Sequence, residues 1–147
     1  MIRLADNLWI GDSADESHAD LDSLGIRAIL NVAQDLHATR GWWHGIEYAQ
    51  VGLIDGPGNT PAVYCAAVLA LTALLQRKRG VLVCCHTGGR SLAVAIMHMH
   101  TTSGRSWDDL LALLGERVEG DLPEINESHK AMFKEINWRS LTAVMGD

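Results

Sequence analysis

The stretch that most limits what this chain can become is Gly80-Val81-Leu82-Val83-Cys84-Cys85-His86-Thr87-Gly88-Gly89-Arg90-Ser91, followed by the apolar run Leu92-Ala93-Val94-Ala95-Ile96-Met97. It predicts a short β-branched strand, a tight glycine-rich turn and the first turns of a helix. A cysteine at the end of that strand sits where turn amides converge and the positive end of a helix points. Both features stabilise a thiolate, and both bind a tetrahedral oxyanion, so nucleophile and substrate site form together. Arg90 opens the helix, and its planar fork grips two oxygens of an anion as a lysine would not. The amides of His86, Thr87, Gly88 and Gly89 complete the cradle. The competing reading of the vicinal cysteines is two small buried strand-end residues; the glycines and arginine that follow favour the oxyanion loop.

A chain of 147 residues fits one domain spanning 1–147. The apolar fraction of 48% against 20% charged residues is that of a globular protein. A net charge of -6 argues against nucleic acid as a partner, because a phosphate backbone seeks basic faces. Three cysteines, two of them adjacent, make no disulfide framework, and no Cys/His spacing points to zinc. The N-terminal residues lack the apolar core of a signal peptide. The apolar run from Ala62 to Leu75 is too short to span a bilayer. These observations predict a soluble cytoplasmic protein with no membrane association.

Along the chain, residues 7–11 predict a first strand, and Ser13 is placed to cap a helix through Leu24 with Gly25 as its stop. Ile26–Val32 reads as an interior strand, residues 40–45 as a loop, and Glu47–Leu53 as a strand leading into the turn-rich Ile54-Asp55-Gly56-Pro57-Gly58-Asn59. Thr60-Pro61 starts a helix running to about Lys78. The helix from Arg90 ends near Gly104, Ser106 caps another from Trp107 to about Val118, and Asn126 caps a last helix through Met145. Strands alternating with helices predict an α/β fold, a central, mostly parallel sheet with helices on both faces.

Taken together, these residues resemble the cysteine-dependent dual-specificity protein phosphatases of the protein tyrosine phosphatase superfamily, over nearly the whole chain. The opening Leu8-Trp9-Ile10-Gly11-Asp12, the Leu24–Val32 segment, the Asp55 loop, Val81-Leu82-Val83, Arg90-Ser91, Arg117 and Asn126-Glu127-Ser128-His129 follow that family's order and spacing. The resemblance implies a central sheet flanked by helices and hydrolysis of phosphomonoesters, on a protein or a small molecule, through a cysteinyl-phosphate without metal or cofactor. It implies Cys85 as nucleophile, Arg90 as oxyanion ligand, Asp55 as general acid, and Ser91 as hydrogen-bond donor to the departing sulfur. It implies that Arg117 ties the tail helices to the loop region.

The loop departs from the family pattern of His-Cys, five residues, then Arg. Only four residues separate Cys85 from Arg90. Counting five back from Arg90 selects Cys84, which puts Thr87 where the family has glycine, so Cys84 stands as the alternative nucleophile. The short loop leaves two other functions open. One is a pseudophosphatase that holds phosphorylated partners without turnover. The other is a rhodanese-like sulfurtransferase using a Cys85 persulfide, since Cys85 to Ser91 also resembles that loop. Trp42 and Trp43, paired between glycines, either wall the substrate pocket or plug the sheet edge. His98 and His100, two apart on a helix, do not share a face for a metal. Cys65, Trp9, Trp107 and Trp138 read as packing residues.

Overall fold

The computed structural model describes residues 1–13, 21–36, 45–77 and 79–145, with Val144 and Met145 described in backbone only. In chain order its elements are β1 (Ile2–Ala5), β2 (Leu8–Gly11), β3 (Ile26–Ala33), β4 (Glu47–Leu53), α1 (Pro61–Leu75), β5 (Gly80–Cys84), α2 (Gly89–Ser103), α3 (Trp107–Arg117), α4 (Glu127–Glu135) and α5 (Trp138–Met145). The strands form one sheet in the order β1-β2-β5-β3-β4. Only β1 is antiparallel. The cysteine strand β5 is central, buried along its whole length and flanked by β2 and β3. Its carboxyl end is therefore where an open α/β sheet places its ligand.

The two faces of the sheet divide β5 by the period of two. Val81, Val83 and, just past the strand, Cys85 join the larger core with Ile10, Leu30 and Val32. Leu82 and Cys84 join a smaller one with Trp9, Leu21, Ile26 and Ile29 on the opposite face. The buried apolar side chains of α1, α2, α3 and α5 belong to the larger core, Tyr64, Leu71, Leu92, Ile96, Leu114 and Leu141 among them. The smaller core is completed among the described residues by Leu21, Leu36, Ile46 and Tyr48 rather than by a helix.

Most predicted boundaries hold. Thr60 caps α1, accepting from the Val63 amide with Pro61 as first residue. Ser106 accepts from Asp109 N at 3.1 Å, and Gly104 closes α2 at φ 72°. Three readings change. The N-terminus carries an additional strand, β1, joined to β2 through Asn7 at φ 64°; four residues are too few to show a period. Helix α1 stops at Leu75, with Gln76 as its cap. The single last helix is two, because Ile136 turns to an extended ψ of 135°. That turn buries Ile136, lets Trp138 Nε1 donate to Phe133 O at 2.8 Å, and lets Asn137 Oδ1 accept from Ser140 N. Of the helix expected from Ser13 to Leu24, residues 14–20 lie outside the described residues, and 21–25 form a turn that ends at Gly25 with φ 75°.

Candidate active site

Chain direction alone brings the cysteine loop to the top of the central strand. Cys85 N donates to Gly11 O at 3.3 Å, extending the β2–β5 pairing by one residue, and the backbone then turns into α2. Gly88 is the N-cap of α2 at φ 92°, where a side chain would be strained. Its amide points back into the loop and donates to Cys85 Sγ at 3.1 Å. Cys84 is carried to the smaller core on the other face. The strand's alternation thus separates the two candidate nucleophiles, and the Cys85 sulfur meets a loop amide. No disulfide joins Cys65, Cys84 or Cys85.

The loop is wedged from outside by the segment before α4. A β-carbon on Gly88 would lie 2.8 Å from Pro123 Cγ, and one on Gly89 would run into the backbone oxygen of Glu124. Both positions need glycine for space, and Gly88 for conformation as well. Ser91, fully buried on the first turn of α2, has no hydrogen-bond partner for its hydroxyl among the described residues. Thr87 is exposed at the turn.

Arg90 is only 4% exposed. Its Nη1 donates to Leu53 O at 2.8 Å and to Asp35 Oδ1 at 2.9 Å. The Arg90 hydrogen bond is the largest cause holding the Asp35 carboxyl below its ordinary range; burial opposes it, and the Arg90 and His86 charges add to it. His86 is exposed, with Nε2 3.4 Å from both the backbone and a side-chain oxygen of Asp35. Asp35 stands on a built turn. Buried Asn31 accepts from Ala33 N through Oδ1 and donates through Nδ2 to Leu36 O and Tyr48 Oη, while Gln50 donates to Ala33 O and Leu36 O.

Asp55 follows Leu53 by two residues, so the carbonyl that holds Arg90 also leads into the Asp55 loop. Asn59 closes that loop, accepting from Ile54 N and donating to Ile54 O, both at 2.8 Å. Asp55 Oδ1 lies 3.2 Å from Nε2 of His129, which is wholly buried. His129 Nδ1 lies 2.6 Å from the Tyr64 hydroxyl, and Asn59 Nδ2 donates to that hydroxyl at 3.1 Å. Burial is the main cause of His129 titrating below its ordinary range; the Asp55 hydrogen bond and charge oppose it, and the Arg90 charge reinforces it. Tyr64 is raised, chiefly by burial.

Cys85, Arg90, Ser91, His86, Gly88 and Gly89 are therefore gathered around one loop, and the Asp55–His129 pair lies within reach of the Arg90 charge. Trp42 and Trp43 lie outside the described residues. Arg117 corrects its expectation. It is exposed and shares a shallow pocket with residues 3–6, at the end of β1–β2 remote from the Gly11–Cys84 pairing. Among the described residues no group of three His, Cys, Asp or Glu side chains stands together to hold a metal ion.

Sequence reasoning missed Asp35, His129 and Tyr64 as parts of the site. His129 stands in the Asn126–His129 stretch that carries the resemblance, with no role of its own; Asp35 and Tyr64 carry no local signal.

The sequence matches no protein-family model and no curated protein at a significant level. The fold does match solved structures. Human DUSP28 superposes with a TM-score of 0.79 at 20% identity, over 98% of this chain and 99% of that one. Human tyrosine phosphatase-like serine/threonine/tyrosine-interacting protein gives 0.78 at 22% identity, over 92% and 93%. Tk-PTP in its active form gives 0.74 at 16% identity, over 93% and 95%. The fold is that of the dual-specificity and tyrosine phosphatases, over 92–98% of this chain in these three matches.

Proposed function

We propose that residues 1–147 form a single catalytic domain, a cysteine-dependent phosphatase that hydrolyses phosphomonoesters on phosphotyrosine, phosphoserine or phosphothreonine. The observation that carries this is the Gly88 amide on the Cys85 sulfur, at the mouth of the helix whose second residue is Arg90. The Cys85 thiolate attacks phosphorus in line, the S–P bond forms, and the bond to the leaving oxygen breaks. Loop amides from His86 to Arg90 and the Arg90 guanidinium take the charge on the equatorial oxygens. Asp55 gives its proton to the leaving oxygen and then takes one from the water that cleaves S–P and releases phosphate. The buried Ser91 hydroxyl, with no other partner among the described residues, donates to the sulfur as it departs. A thiolate nucleophile suits a reducing compartment, which supports the cytoplasm as its location. Among the described residues no helix is long and apolar enough to cross a membrane.

The test is turnover of an aryl phosphate by the wild type, Cys84→Ser and Cys85→Ser. Cys85→Ser is expected to lose all activity above background and Cys84→Ser to keep most of it. Loss confined to Cys84→Ser would move the nucleophile to the other sulfur.

One observation favours a second reading, the pseudophosphatase. Arg90 is already paired with Asp35 and Leu53 O, behind a loop one residue shorter than the phosphatase pattern. Phosphopeptide affinity without hydrolysis would establish it. The match to phosphatase folds over almost the entire chain favours phosphate over sulfur transfer.

A further inference from the structure

The chain Asn59–Tyr64–His129–Asp55 joins the Asp55 loop, α1 and α4, and ends on the carboxyl group assigned to protonate the leaving oxygen. Its proton directions follow from chemistry. Asn59 Nδ2 can only donate to the Tyr64 oxygen, which leaves the tyrosine proton for His129 Nδ1. A neutral imidazole accepting at Nδ1 carries its own proton on Nε2, and that proton faces Asp55 Oδ1 at 3.2 Å. Three features favour the neutral ring against the opposing pull of the Asp55 carboxylate. It is wholly buried, it is the third residue of α4 near that helix's positive end, and the Arg90 charge lies within range.

We infer that His129 is a positioning residue that fixes the Asp55 carboxyl group, occupying Oδ1 with its Nε2–H so that Oδ2 carries the proton to the leaving group. The inference rests on the phosphatase reading. Asp55 is 46% exposed on a surface loop, and a side chain there would otherwise sample several rotamers. One rigid donor, itself oriented by Tyr64, removes that freedom as second-layer hydrogen bonds do in other sites. His129 never touches the reacting atoms.

A merely structural histidine and a positioning one differ in how the rate depends on the leaving group. Acid catalysis matters for a poor leaving group such as phenol and little for a nitrophenol. His129→Leu is expected to lower kcat/KM for phenyl phosphate, which reports only the steps through loss of the leaving group, by about 10- to 100-fold, part of the full contribution of a general acid. The kcat/KM of the dinitrophenyl ester should change less than about threefold. His129→Gln, which can offer an N–H at a similar reach, is expected to restore most of the phenyl phosphate rate. Tyr64→Phe removes one hydroxyl without opening a cavity and should show the same selective loss in milder form. It carries the comparison should leucine at 129 unfold the chain. An equal fall in kcat/KM for both esters, or no fall for either, overturns the positioning role while leaving the phosphatase reading intact. A wild type that hydrolyses neither ester ends both. Nitrogen-15 spectra of the wild type are expected to show the Nε2–H tautomer at neutral pH; an Nδ1–H tautomer overturns the inference whatever the kinetics.

Discussion

Arg90 is the residue on which the site turns, because a substrate anion and Asp35 want the same guanidinium. The Asp35 carboxylate is exposed, so the pair holds by about 0–1 kcal/mol and can be exchanged. Phosphate entering the loop trades one oxyanion partner for another, while Leu53 O keeps the guanidinium from swinging out. Asp35→Ala is expected to tighten inhibition by inorganic phosphate by about two- to fivefold, the reach of an exposed ion pair. The inhibition constant against an aryl phosphate measures this; a weaker constant would mean that Asp35 aims Arg90 rather than competing for it. The Cys–Arg–Ser core of the site was legible because its parts are adjacent and strand, turn and helix each have a local code. Asp35 and His129 were not, since they meet Arg90 and Asp55 across 55 and 74 positions of chain, and nothing near them in sequence marks the meeting. Cys84 against Cys85 stayed open in the sequence because counting residues and following the strand gave different answers. The sheet's alternation separates them.

At the scale of elements, the loop–helix unit depends on a third piece of chain. Segment 123–125 presses on the start of α2, and Glu124 O occupies the space a side chain at 89 would need. The obstacle is backbone and cannot rotate away. Gly89→Ala is expected to destabilise the fold by about 1–3 kcal/mol, the usual cost of overpacking, and to lower turnover in the fraction that stays folded. Chemical denaturation alongside the aryl phosphate assay checks both; an unchanged midpoint would show the segment yields freely. Elements with capping chemistry or long apolar periods read correctly from sequence, as α1, α3 and β5 show. Strand β1 did not, being only four residues long. The break at Ile136 was hidden because Asn137, a fair helix start, sits inside a continuous amphipathic pattern.

For the molecule as a whole, two histidines couple stability to pH. Burial is the cause that lowers His98, which shares a contact at 3.0 Å with Thr72 Oγ1, and it is the main cause that lowers His129. In the unfolded chain both take up protons below about pH 6.5, whereas the folded protein resists. The unfolded state then binds more protons, so stability rises with pH through that window and levels off above it. Asp35, Glu47 and Asp108, held below their ordinary range by Arg90, Arg79 and Lys130 respectively, add a further loss only below about pH 4. The melting temperature is expected to stay flat from pH 8 to 7 and fall between 6.5 and 5, with a gentler fall in His98→Gln. A melting temperature that holds or climbs at pH 5.5 would contradict this. The parallel sheet was legible at this scale from the alternation of strands and helices; that the described helices crowd one face was not, because a connection's side depends on handedness rather than on composition. The wedge of Pro123 and Glu124 against the two glycines also bears on synthesis. A ribosome releases the sulfur and the guanidinium well before it releases the residues that brace them, so the growing polypeptide holds every reactive group while still lacking the brace that makes them an enzyme.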